Sequence, residues 1–191
     1  GFARVPAADP LAHPALDIHD IATAPDGRVL AATEDGLFEV RDGRLAEVSG
    51  VRDPVLSLLV RADAVWVGGR GGVHQLGARG KAFLALPAPI AGAVVTQLLE
   101  AQGRVWIGTS AGLWLHDDTG WRPAAGHPSL AQSPVEMLFA DRDGNLWVGL
   151  ADGLARLRDG RFAEFLAHSA AGAHPSPLVA LEDHEGNLWL G

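Results

Sequence analysis

The 191-residue sequence has no cysteine, no tyrosine and a single methionine, Met137. Without cysteine there is no disulfide scaffold, no thiolate zinc site and no cysteine nucleophile. Cations are scarce as well: 15 Lys and Arg stand against 23 Asp and Glu, a formal net charge of -8. That balance repels a phosphate backbone, so nucleic-acid binding is not expected. No apolar run approaches the ~20 residues a membrane helix requires. Neither an initiator methionine nor a signal sequence opens the chain at Gly1, which points to the interior of a longer protein or a processed piece. What the chain does have is 48% hydrophobic residues, 24 glycines and 12 prolines, enough to bury a core between many turns.

The segment DRDGNLWVGLADGLARLRDGRF, Asp141 to Phe162, returns in weaker copies along the chain. Its tryptophan position aligns Leu30, Trp66, Trp106, Trp147 and Trp189, at spacings of 36, 40, 41 and 42. The glycine opening the next run falls at Gly36, Gly72, Gly112 and Gly153, spaced 36, 40 and 41 apart. Each copy reads as four short strands. The first is nearly all apolar, as in Ile18–Ile21, Val55–Val60, Val95–Leu99, Val135–Phe139 and Leu178–Leu181. A polar turn such as Asp143-Gly144-Asn145 leads to a buried run carrying the anchor, then to an alternating third run such as Leu154–Leu157. Asp-Gly pairs at 26–27, 35–36, 42–43, 152–153 and 159–160 are read as tight hairpin turns with positive φ. Gly36, Gly112 and Gly153 are expected to take positive φ as well.

Tandem four-stranded antiparallel units of about 40 residues predict an all-β chain, a β-propeller. One blade cannot bury both faces alone, so the anchors Leu30, Trp66, Trp106, Trp147 and Trp189 are expected to plug neighbouring blades. With Leu30 in place of an indole, the first blade should be the least firmly packed. Complete blades are expected at about 15–50, 51–90, 91–131 and 132–174, flanked by half blades at 1–14 and 175–191. The halves complement each other: Gly1-Phe2-Ala3-Arg4-Val5 matches Gly153–Leu157, and Asn187–Gly191 completes a second strand. The chain therefore closes as a five-bladed ring or forms an arc of a longer propeller. The absent methionine and the stop just after Trp189 favour the arc.

The copies DRDGNLWVGLADGL, QGRVWIGTSAGL, DHEGNLWLG and PDGRVLAATEDGL resemble the two-component regulator propeller repeat, over nearly the whole chain. The second copy departs most, with Gly68-Gly69-Arg70-Gly71-Gly72-Val73 where the pattern has threonine and leucine. The resemblance implies a non-enzymatic sensor domain of a bacterial receptor, periplasmic or otherwise extracytoplasmic. A membrane segment would connect it to a histidine kinase of a phosphorelay, a diguanylate cyclase or a DNA-binding output. None of those parts is legible here, so the chain would be the receiving half, and a homodimer would form through the parent receptor. The element DGNLW also resembles streptogramin lyase propellers, which implies a metal-dependent enzyme as the alternative. A third reading is a generic scaffold for protein contacts.

Loops on a rigid scaffold are where such a domain recognises a small molecule, a saccharide or a protein. Turns between second and third strands share a face with the links between blades, which gathers Glu34, Arg70, Ser110 and Asp152 there. The longer links add His127, and His168 and His174 in the run from His168 to Pro175. Polar residues His19, Ser57, Gln97 and Glu136 interrupt the first strands and are expected to line a central channel. No catalytic residue, metal site or cofactor is assigned: no serine sits in a glycine elbow, and Asp141, Asp143 and Asp183 fit turns that satisfy their own backbone.

Overall fold

The computed structural model describes residues 17–48, 50–77, 80–159, 161–167 and 179–191. The half blade expected at 1–14 and the run carrying His168 and His174 lie outside them. Among the described residues are four four-stranded antiparallel sheets, each of strands consecutive in sequence, and one two-stranded sheet. The fold is a β-propeller of such blades. The chain divides into two compact units between Leu86 and Pro87.

In the first unit, β1 (Ile18–Thr23), β2 (Val29–Thr33), β3 (Gly36–Arg41) and β4 (Arg44–Glu47) form one sheet. The other sheet holds β5 (Val55–Val60), β6 (Ala64–Gly69), β7 (Gly72–Gly77) and β8 (Gly80–Ala85). In the second unit, β9 (Val95–Ala101), β10 (Arg104–Thr109), β11 (Gly112–Asp117) and β12 (Gly120–Pro123) make the first sheet. A short helix α1 (Pro128–Gln132) leads to β13 (Val135–Ala140), β14 (Asn145–Leu150), β15 (Gly153–Arg158) and β16 (Arg161–Ala167). The pair β17 (Ala180–Glu182) and β18 (Leu188–Leu190) follows. No helix among the described residues is long and apolar enough to cross a membrane.

Second strands are apolar on both sides because each side meets a different neighbour. In the second unit Trp106 leaves one face of β10 and joins a core with Leu146, Val148 and Leu150 from β14. Its exposure is 0%, and burying an indole removes up to about 4–6 kcal/mol of transfer free energy from water. In the first unit Leu30 holds the same place against Val65 and Val67 of β6. Trp66 is buried too. The remaining anchors are less enclosed. Trp147 leaves β14 on the side away from Leu146 and Val148, as Trp106 leaves β10 away from Val105 and Ile107, but it is only half-buried. Trp189 sits on the two-stranded sheet and is 63% exposed, since two strands offer too little surface to cover an indole.

The glycine and threonine after the anchor have separate tasks. A Cβ on Gly108 would lie 2.6 Å from Val135 Cγ1, so its absence lets the next first strand approach. Thr109 Oγ1 donates to the Gly112 carbonyl at 2.7 Å and accepts from the Ala111 N–H at 3.1 Å, tying the turn. Thr33 does the same with Gly36 and Asp35, at 2.9 and 3.2 Å. Where the second copy has Gly69 instead, the pairing of Gly69 with Gly72 persists.

Tight turns follow the expected chemistry only in part. Asp42 and Gly43 both take positive φ, 50° and 71°, and Gln102-Gly103 builds the same turn without aspartate, at 54° and 69°. At 26–27 and 35–36 only the glycine is left-handed. There Asp26 acts through its side chain, accepting from the Arg28 N–H at 3.2 Å. Gly36 and Gly112 take φ of 121° and 109°, whereas Gly153 closes its turn without a positive φ.

Candidate functional site

Three polar arrangements stand out, and the first belongs to the repeat itself. Asp141 accepts from the Asn145 N–H, the Asn145 side-chain amide and the Trp147 indole N–H, each at 2.7 Å. Asp183 repeats this with the Asn187 N–H at 2.9 Å, the Asn187 amide at 3.0 Å and the Trp189 indole at 2.8 Å. Asp141 and Asp183 are thus engaged by their own turns. Among the described residues no group of three or more His, Asp or Glu is placed to hold a metal ion.

These bonds favour the ionised carboxylate. For Asp183 the Trp189 indole, the Asn187 amide and the Asn187 N–H bring the pKa from the ordinary 3.8 to about 2. For Asp141 burial raises the pKa, but the bonds from Asn145 and Trp147 outweigh it and the net direction is down. A carboxyl depressed on folding stabilises the fold above its unfolded pKa and loses that contribution as pH falls through the folded value. The indole N–H resonance of Trp189 is therefore expected to titrate near pH 2 by NMR. A midpoint at the ordinary 3.8 would mean the clamp does not form in solution.

The second arrangement is the rim of the second unit, built by the β14–β15 turn, α1 and β16. Asp152 accepts from the Ser129 hydroxyl at 2.6 Å. His127 caps α1, its Nδ1 accepting from the Ser129 N–H at 3.3 Å, while its ring stacks on Phe162 at 5.4 Å and 19°. Burial raises the pKa of Asp152, and bonds from the Ser129 and Ser133 hydroxyls more than reverse it. Ser110 lies in the β10–β11 turn, its Oγ accepting from the Val94 N–H at 3.0 Å and its N–H donating to Val94 O at 2.9 Å.

The third arrangement is the corresponding rim of the first unit. Glu34, in the β2–β3 turn, lies 3.3 Å from His19 Nε2, so an expected rim residue and an expected channel residue meet. Arg70 stands exposed between β6 and β7. The channel set needs correction. Every first strand of the four complete sheets has a bulge: Val55 pairs with Gly69 but Ser57 with Gly68, and Val135 with Leu150 but Met137 with Gly149. The same slip separates Ile18 from Asp20 and Val95 from Gln97. His19 and Glu136 are therefore the extra, unpaired residues, whereas Ser57 and Gln97 stand one position later and share a register with Asp20. One inserted residue turns the following side chain to the other face, so the four do not form one row. Ser57 is buried.

Residues 129–152, which run from Ser129 to Asp152, match the family model of the two component regulator propeller. This one segment, the end of one blade link and the inner hairpin that follows it, is similar to a regulator propeller repeat. Solved structures agree on the fold. The extracellular domain of a putative hybrid two component system from B. thetaiotaomicron has a TM-score of 0.72 at 19% identity, over 92% of this chain and 25% of that one. A catalytically inactive virginiamycin B lyase from Staphylococcus aureus, solved with quinupristin, gives 0.69 at 16%, over 92% and 63%. A gluconolactonase from Xanthomonas campestris gives 0.60 at 14%, over 90% and 67%. The chain spans a quarter of the first of these and under two thirds of the second. No curated protein matches the sequence.

Periodicity is a poor guide to Ser129 and Phe162. Both meet a link between blades that has no counterpart at the same spacing, so no repeat signal marks them.

Proposed function

We propose that this regulator propeller is the receiving part of a bacterial signal-transduction receptor and catalyses nothing itself. It would lie outside the cytoplasm, in the periplasm or at the cell surface, and take a small molecule, saccharide or protein at its rim. A kinase or cyclase output would belong to other parts of the parent protein, which would pair as a homodimer. One observation carries the reading: residues 129–152, which run from α1 through the β13–β14 hairpin to the β14–β15 turn, match the two component regulator propeller.

In the intact receptor, the double variant Ser129→Ala, Asp152→Asn is expected to fold and to change signal-dependent phosphoryl transfer severalfold. Transfer that is indifferent to deleting the propeller altogether would remove the receptor reading. The purified chain, given quinupristin and Mg²⁺, is expected to leave the cyclic peptide closed. Ring opening seen by mass spectrometry would put a lyase in its place.

A further inference from the structure

Two residues after each turn glycine, the third strand sends a side chain to the side of the sheet away from the anchor. In three sheets that side chain is apolar and buried: Phe38, Trp114 and Ala155, paired with Ala31, Ile107 and Val148 of the second strand. In the sheet of β5 to β8 the same place, paired with Val67, is held by His74. Its Nδ1 is buried and meets no hydrogen-bond partner among the described residues. A neutral ring can leave that nitrogen as a lone pair. Protonation makes both ring nitrogens donors and strands a charged N–H without an acceptor, which is the costlier state.

What His74 touches is the edge of the sheet. β8 pairs only with β7 and is exposed along most of its length. Phe83 of β8 pairs with His74, the two ring centroids 4.7 Å apart, and Lys81 stands two residues earlier on the same side. The Lys81 ammonium donates to the Gly50 carbonyl, so this side of β8 is fastened to the link that precedes β5. The other groups around the ring offer an imidazolium little: Val67 and Leu76 belong to an apolar core with Leu37, Val48 and Val51, and Arg52 is paired with Glu47 at 2.8 Å. Burial, and after it the Lys81 charge, lower the His74 pKa from the ordinary 6.5, and Asp53 in the link opposes them with the smaller effect. Above pH 6.5 the ring is neutral whether folded or unfolded; as pH falls below it the unfolded chain takes the proton first, and the fold loses stability.

We infer that His74 is an acid-sensitive fastening: neutral, it lets Phe83 and Lys81 hold β8 to the link at Gly50, and protonated, it releases that edge strand. The switch is read on the purified chain and so stands apart from the receptor reading. By NMR the His74 ring is expected to titrate below pH 6.5. From about pH 7 to about pH 5, amide-exchange protection of β8, corrected for the intrinsic rate, is expected to fall severalfold more than that of β3. His74→Phe, which installs the residue β3 carries at this place, is expected to abolish that difference. Should that variant fail to fold, His74→Gln, uncharged throughout the range, supplies the comparison. A His74 midpoint at or above 6.5, a fall in β8 no larger than in β3, or a fall as large in a folded variant as in the parent would each overturn the inference.

Discussion

Trp106→Ala is expected to lower the unfolding free energy by ~3–5 kcal/mol, measured by urea denaturation. The indole is fully enclosed, and the aliphatic side chains around it come from two sheets and α1, which cannot all collapse into the space it leaves. Part of the loss is transfer free energy and part is the cavity. The matched control is Trp189→Ala, where 63% of the residue is already in water and the expected cost is below ~1 kcal/mol. Equal costs for the two would mean that period, rather than burial, decides an anchor's weight, against the packing described here. Trp147 should fall between them, since half-burial and the Asp141 bond each contribute.

Gly112→Ala is expected to cost roughly 2–4 kcal/mol, seen as a lower midpoint in a thermal or urea melt. Two causes combine. Gly112 has φ of 109°, which an L side chain rarely adopts, and a Cβ there would lie 2.6 Å from the Ala131 carbonyl carbon. The obstacle is backbone at the end of α1, so relief requires moving the helix that positions Ser129. Gly103→Ala isolates the first cause: its φ is +69° and nothing lies within 4 Å, so about 1–2 kcal/mol is expected. If Gly112→Ala costs no more than Gly103→Ala, the helix gives way freely and the rim is looser than its hydrogen bonds imply.

Much of the architecture was legible because its determinants are local and repeat. The anchor and the turn glycine recur every 36 to 42 residues, and the turns between them are tied by interactions a few residues apart. Thr109 with Gly112, and Asp141 with Asn145 and Trp147, show the scale. The first-strand bulges were not legible. An extra residue in an apolar run leaves composition unchanged while shifting which side chains share a face, so His19 and Ser57 looked equivalent and are not.

Sequence alone determined the period, the four-stranded antiparallel blade and the place of the indole within it, because hairpin closure and alternation are short-range requirements. Tertiary structure decided which indoles are enclosed, that Asp152 takes its proton donor from a helix in the preceding link, and that Leu30, in an indole's place, is fully buried against β6. Those outcomes depend on what a neighbouring blade presents across the gap, and a contact made once in the chain leaves no periodic trace.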